Sequence, residues 1–308
     1  MTLLVVFSVS LATAQNDPAS EKNAVLLAQR SIERLTLGDA FDAKLRQRIW
    51  ASGREVVGVG HYEQSGKGTG SYSLEMTVHD GVDRQSMKQI SDGKLTWHRI
   101  QIGTGIEIRR VDLGRIDEYE REMLALRGST SRELVGEVPA RLRVGGLVEL
   151  VDRIRSDYVL ELKKGTVERQ PVWILHGKLR PSVRAKIQAD SGRDKWASLC
   201  PVEVRVAIAA TADATGFGAG LPLRIEFYSE PTIAPEPLVI TPVSANTDET
   251  NQTMTVNAPG GRVISLLEVY AARRIEASPE ERFRFVSDDR EVTFTNDTRR
   301  YLDLILPP

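Results

Sequence analysis

Residues 84–99 read Arg-Gln-Ser-Met-Lys-Gln-Ile-Ser-Asp-Gly-Lys-Leu-Thr-Trp-His-Arg. Two runs of strand-forming residues flank Ser91-Asp92-Gly93-Lys94. A turn whose twist matches its strands needs a residue at positive φ, which Gly adopts without steric cost, and Asp tolerates the turn beside it. The stretch therefore predicts a β-hairpin, and the segments around it repeat the same period.

Upstream, Glu55 to Gln64 is strand-like. In Tyr72-Ser-Leu-Glu-Met-Thr-Val78, the residues Tyr72, Leu74, Met76 and Val78 alternate with Ser73, Glu75 and Thr77, as on a half-buried antiparallel strand. Downstream, Gly105 to Asp112 places Ile106 and Ile108 on one face. These strands form a meander. Residues 20–37 carry Ala24, Leu27, Ala28, Ile32 and Leu35 at helical spacing, and Leu113 to Leu126 and Val144 to Ile154 share that period. Further strands are predicted at Tyr158–Leu162, Pro171–Leu179, Val202–Ile208, Leu221–Tyr228 and Val263–Ile275. A helical turn is expected after Ser278-Pro279 and a last short strand at Val292–Phe294. Phe41–Trp50 is ambiguous, and Arg184–Trp196 fits a short helix or a loop.

The economical arrangement is one α+β domain over residues 15–308. It is a single curved antiparallel sheet, an incomplete β-barrel, with the two helices after the meander covering its concave face. Prolines at 231, 235, 237 and 242 mark residues 229–260 as an irregular excursion.

The chain has 308 residues, of which 41% are apolar, enough for a substantial core. Lys and Arg number 41 against 42 Asp and Glu, a formal net charge of -1. That balance argues against a nucleic-acid partner, which calls for a basic excess or stripe. Leu3 to Leu11 is a short apolar run followed by Ala12-Thr13-Ala14. It reads as a secretory signal peptide over residues 1–14, too short to span a bilayer. No Cys follows the cleavage site, so N-terminal lipidation is not expected, and no transmembrane segment is. The lone Cys200 precedes Pro201 and a strand, where a buried structural thiol is expected. Sparse cysteine suits a periplasmic protein.

Recognisable catalytic chemistry is absent from the sequence. His61, His79, His98 and His176 have no partner at metal-ligand spacing, and neither HExxH nor GxSxG occurs. His98 follows Trp97 and should lie on the opposite face, as a surface residue. The Gly-rich spots at 58–60, 66–70 and 216–220 precede strands, whereas a phosphate loop must open a helix. No cofactor is implied and no enzymatic activity is expected. The apolar face remains: Val57, Val59, Leu74, Met76, Leu95, Trp97, Ile106 and Ile108, with Met87 as adaptable lining, are the candidates for an apolar cavity on the concave side.

Ile90-Ser-Asp-Gly-Lys-Leu-Thr-Trp97 resembles the hairpin of the LolA-like family of periplasmic lipoprotein carriers, their LolB receptors and related lipid-binding half-barrels. Gly70–Met76, Val144–Leu150, Tyr158–Leu162 and Ile275–Phe285 are similar to the strand before it, the helix and strand after the meander, and the closing segment. The resemblance implies a periplasmic half-barrel that holds an acyl chain, lipid or lipoprotein in an apolar cavity. The family's carriers are shorter, so residues 229–260 look like an insertion. Relatives that regulate envelope stress imply the alternative, an interaction or sensor module whose partner is an envelope protein.

Overall fold

The computed structural model describes residues 18–51, 53–79, 84–126, 137–192, 195–231, 261–286 and 293–305. The expected signal peptide lies outside the described residues, as does most of the expected excursion at 229–260. Ser229, the first residue of that span, donates its N–H to Arg262 O at 2.9 Å.

Helix α1 (Pro18–Leu37) leads into β1 (Phe41–Ala51), β2 (Arg54–Gln64), β3 (Ser71–His79), β4 (Arg84–Asp92), β5 (Leu95–Ile102) and β6 (Gly105–Asp112). Helices α2 (Leu113–Leu126) and α3 (Gly146–Asp157) follow, then β7 (Tyr158–Val167), β8 (Gln170–Leu179), α4 (Pro181–Ser191), β9 (Glu203–Ala209), β10 (Pro222–Tyr228), β11 (Val263–Arg274), β12 (Phe294–Asn296) and α5 (Thr298–Ile305). All strands belong to one open 12-stranded sheet in the order β12-β6-β5-β4-β3-β2-β1-β11-β10-β9-β8-β7. Every described pairing is antiparallel except β12 with β6. The ambiguous segment after α1 is the central strand β1, which joins the N-terminal meander to the C-terminal strands through β11.

The organising hairpin forms as read. Gly93 sits at φ 82°, and Asp92 Oδ1 accepts from the N–H groups of both Lys94 and Leu95 at 2.8 Å. The side chain thereby satisfies donors that the turn exposes.

Helices cover the concave, inner face of the curved sheet. Ala24, Ala28, Ile32 and Leu35 of α1 share a core with Leu160, Leu175, Val206 and Ile225 of the C-terminal strands. Leu147, Val148, Val151 and Ile154 of α3 join the same core beside Leu45, Tyr62, Tyr72 and Leu74. Each fully buried Leu or Ile contributes roughly 1.5–3 kcal/mol. Both helices after the meander lie on this inner face: α2 packs Leu113 and Ile116 with Val111, Val144 and Tyr301 at its β6 margin, and α1 supplies a further cover beyond the two expected from the sequence. The segment left open at 184–196 contains most of α4, which starts on Pro181 and ends at left-handed Gly192.

The chain's last part straps the outer face. Phe283 is buried, and Phe285 stacks on Trp97 with ring centroids 4.9 Å apart. Strand β12 then lies beside β6, and α5 returns to pack on α2.

Candidate functional site

Strand register decides which side chains face the helices. Met76 on β3 pairs with Met87 on β4, Leu74 pairs with Gln89, and Gln89 pairs with His98 on β5. Pairs directly opposite in a ladder share a face. These residues line one open inner-face pocket of about 380 Å³, together with Leu45 and Gln47 of β1, Leu267 of β11, the start of α3, and Arg300 and Tyr301 of α5.

The pocket has an apolar floor and a polar end. Leu45, Leu74, Met76, Met87 and Leu267 form the floor. Beside the floor, Gly60 on β2 lies opposite Met76, and a Cβ added there would run into Glu75 O and come within 3.1 Å of Met76 Sδ, so glycine is what the close approach of β3 allows.

The polar end is built around Glu149. Its Oε2 accepts from Gly145 N–H at 2.7 Å and from Tyr301 O–H at 3.0 Å, while Oε1 pairs with Arg153 at 2.7 Å. Gln89 Oε1 accepts from Gly146 N–H at 2.9 Å, which fixes the entry of α3 to the sheet. Burial pushes the His98 imidazole below its ordinary pKa, and its Nε2 is buried without a hydrogen-bond partner among the described residues. Burial, helped by Glu149, pushes the Tyr301 phenol up.

Of the residues expected to line the cavity, Leu74, Met76 and Met87 come together in the pocket. The others lie on the outer face. Val57 and Val59 pair with His79 and Thr77 and are exposed, because Gly58, Gly60 and Tyr62 hold the inner positions of β2. Trp97 pairs with Ile90 and Ile108 with Arg99, so Leu95, Trp97, Ile106 and Ile108 all point away from Met87. His98 does face opposite to Trp97, as expected, but that side is the pocket and not the surface. Gln89, Glu149, Arg153, Arg300 and Tyr301 went unforeseen. Counting pairs outward from the Asp92-Gly93 turn would have placed Gln89 with His98, since Ser91 pairs with Thr96 across it.

Among the described residues no helix is long and apolar enough to cross a membrane, and no cluster of side chains has the make-up of a metal site.

No family model matches the sequence, and no curated protein matches it. Several solved structures are similar at low identity. The complex of MucA and MucB from Pseudomonas aeruginosa aligns at 12% identity over 86% of this chain and 61% of that one, with a TM-score of 0.38. LprF from Mycobacterium bovis aligns at 8% identity over 86% and 98% of the two chains, with a TM-score of 0.35. A LolA superfamily protein from Nitrosomonas europaea aligns at 12% identity over 86% and 98%, with a TM-score of 0.27. The chain spans less than two thirds of the length of the MucB structures it matches.

Proposed function

We propose that this protein binds the acyl chain of a lipid or lipid-modified protein in the inner-face pocket, and that it acts in the periplasm as a carrier by binding rather than by catalysis. One observation carries the reading. Helix α3 covers the sheet without filling the space above the Met76–Met87 pair, which leaves an open pocket with an apolar floor and a polar end. Its volume of about 380 Å³ falls within the range of small-molecule sites, roughly 300–1,000 Å³. Methionine suits such lining because its unbranched thioether adapts to chains of different shape.

The energetics fit a carrier. Each methylene removed from water gains about 0.8 kcal/mol, and leaving a bilayer costs about the same. Transfer from membrane to pocket is then close to neutral, which suits a protein that must also release its load.

The test is native mass spectrometry of protein purified from a periplasm, together with titration of a fluorescent fatty-acid probe. A lipid-sized bound mass, and loss of probe uptake in a Met87→Arg variant that circular dichroism shows to be folded, support the reading, Met87 being only partly buried where Met76 belongs to the core. A clean apo mass with no uptake overturns it and leaves the surface-interaction alternative.

A further inference from the structure

The pocket's polar end holds more positive charge than its own groups neutralise. Arg153 is matched by Glu149, the one carboxylate of the lining, whose oxygens are already engaged by Arg153, Gly145 N–H and Tyr301 O–H. Arg300 also lines the pocket, and its guanidinium has no ion pair among the described residues. Asp297, three residues before it, is engaged by Arg109 at 3.3 Å. Beside these lies the His98 imidazole, whose buried Nε2 has no hydrogen-bond partner among the described residues. A buried polar atom without a partner is disfavoured unless a ligand or water completes it.

Size limits the other end of the ligand. A cavity of roughly 150 Å³ takes up benzene, so the 380 Å³ here accommodates on the order of fifteen carbon atoms. That is about the bulk of one alkyl chain, in a pocket that opens to solvent.

We propose that the pocket selects single-chain amphiphiles with an anionic head group, the chain lying over Met76 and Met87 and the head held by Arg300 and His98 Nε2. This rests on the acyl-chain reading above and adds the head-group class to it. A carboxylate and a phosphate monoester share the required chemistry: both accept from a guanidinium in a bidentate manner and from a ring N–H.

The test is displacement of a neutral fluorescent alkyl probe from the full chain by dodecanol, dodecanoate, dodecyl phosphate and dodecyltrimethylammonium. The expected order places the anions about tenfold or more ahead of dodecanol, the scale of one charged hydrogen bond, with the cation last. Dodecanoate alone ahead identifies a fatty-acid head, and dodecyl phosphate alone a phosphate head. In Arg300→Gln the ratio of anion to alcohol affinity should fall towards one, and Arg300→Lys should restore part of it. Because Arg300 is exposed and makes no ion pair among the described residues, unfolding of these variants is not expected, and circular dichroism checks it. Equal affinity for dodecanol and both anions in the native chain overturns head-group selection while leaving the acyl-chain reading intact. Failure of the neutral probe and every amphiphile to bind overturns both.

Discussion

Arg282 reaches from the C-terminal strap to Glu63 on the outer face of β2, with Nε 3.0 Å from Oε2. Glu63 is almost wholly buried, its side chain 3% exposed, whereas Arg282 is 61% exposed. Ser278 Oγ donates to the other carboxylate oxygen. A charged group taken out of water and held by two partners of one segment makes the strap part of the fold and not a loose tail. Arg282→Gln removes one partner and leaves the buried charge half satisfied, so the variant should lose about 1–2 kcal/mol, tempered by the solvent around Arg282. Urea unfolding of Arg282→Gln, Glu63→Gln and the double variant should show a coupling of about 1 kcal/mol. Additive effects would mean that the pair does not hold the strap.

Trp97 gives a sharper division between stability and binding. It stacks on Phe285 at an interplanar angle of 11° and meets Phe294 edge-on at 5.5 Å, with the Arg110 guanidinium over the Phe294 ring. All of this lies on the outer face. Trp97→Ala should therefore destabilise by about 2–3 kcal/mol through lost packing and stacking. Uptake of an alkyl probe, measured well below the unfolding midpoint, should stay within twofold of native, about the scale of packing adjustments far from a site. A variant that remains folded and loses uptake would place Trp97 in the site after all.

The hairpin, the meander and the alternation in Tyr72–Val78 were legible because each depends on local rules: turn chemistry and a period of two. The side of the sheet was less so. Period two says which residues share a face within a strand, but joining faces across strands needs the register, and register depends on turn length. On β2 the inner positions are glycines and Tyr62, so the conspicuous Val57 and Val59 drew the reading to the wrong face. On β5 the bulkiest residue, Trp97, had a partner invisible from local sequence, since Phe285 reaches it only through the long-range path of the strap. The polar end combines His98 with Glu149 and Tyr301, residues from β5, α3 and α5. No spacing motif could show that set, and α5 itself went unread.

Gly145 makes the pocket's rim a sensitive point. Its backbone lies at φ 76° and ψ 175°, a region essentially reserved for glycine. An added Cβ would also run into the Tyr72 hydroxyl. Gly145→Ala should lose about 1–3 kcal/mol from the backbone alone, with the overlap adding to it. Tyr72→Phe by itself should change stability by less than about 1 kcal/mol, because the buried hydroxyl has only the Thr96 hydroxyl beside it and no well-formed hydrogen bond among the described residues to lose. Combined with Gly145→Ala it should recover the steric part and leave the backbone part. No recovery in the double variant would mean that strain alone sets the loss.

The two half-buried histidines predict how the fold answers acid. Burial lowers the pKa of His98 in the pocket and of His176 on β8. Around His176, Glu203 at 3.6 Å and Glu161 at 4.0 Å favour the imidazolium, but desolvation together with Lys163 and Arg205 outweighs them. A histidine whose folded pKa lies below its unfolded value of about 6.5 binds fewer protons in the native state. Its contribution is complete above that value and is lost as pH falls through the folded pKa. The melting temperature should therefore hold steady from pH 9 to 7 and decline from pH 7 to 5. His176→Gln should remove part of that decline without altering probe uptake, and His98→Gln a further part. At still lower pH, Asp42, whose pKa the Arg273 guanidinium lowers, should add its own loss as the carboxylate protonates. An unchanged melting temperature between pH 7 and 5, or an identical decline in both histidine variants, would show that neither imidazole is held neutral by the fold.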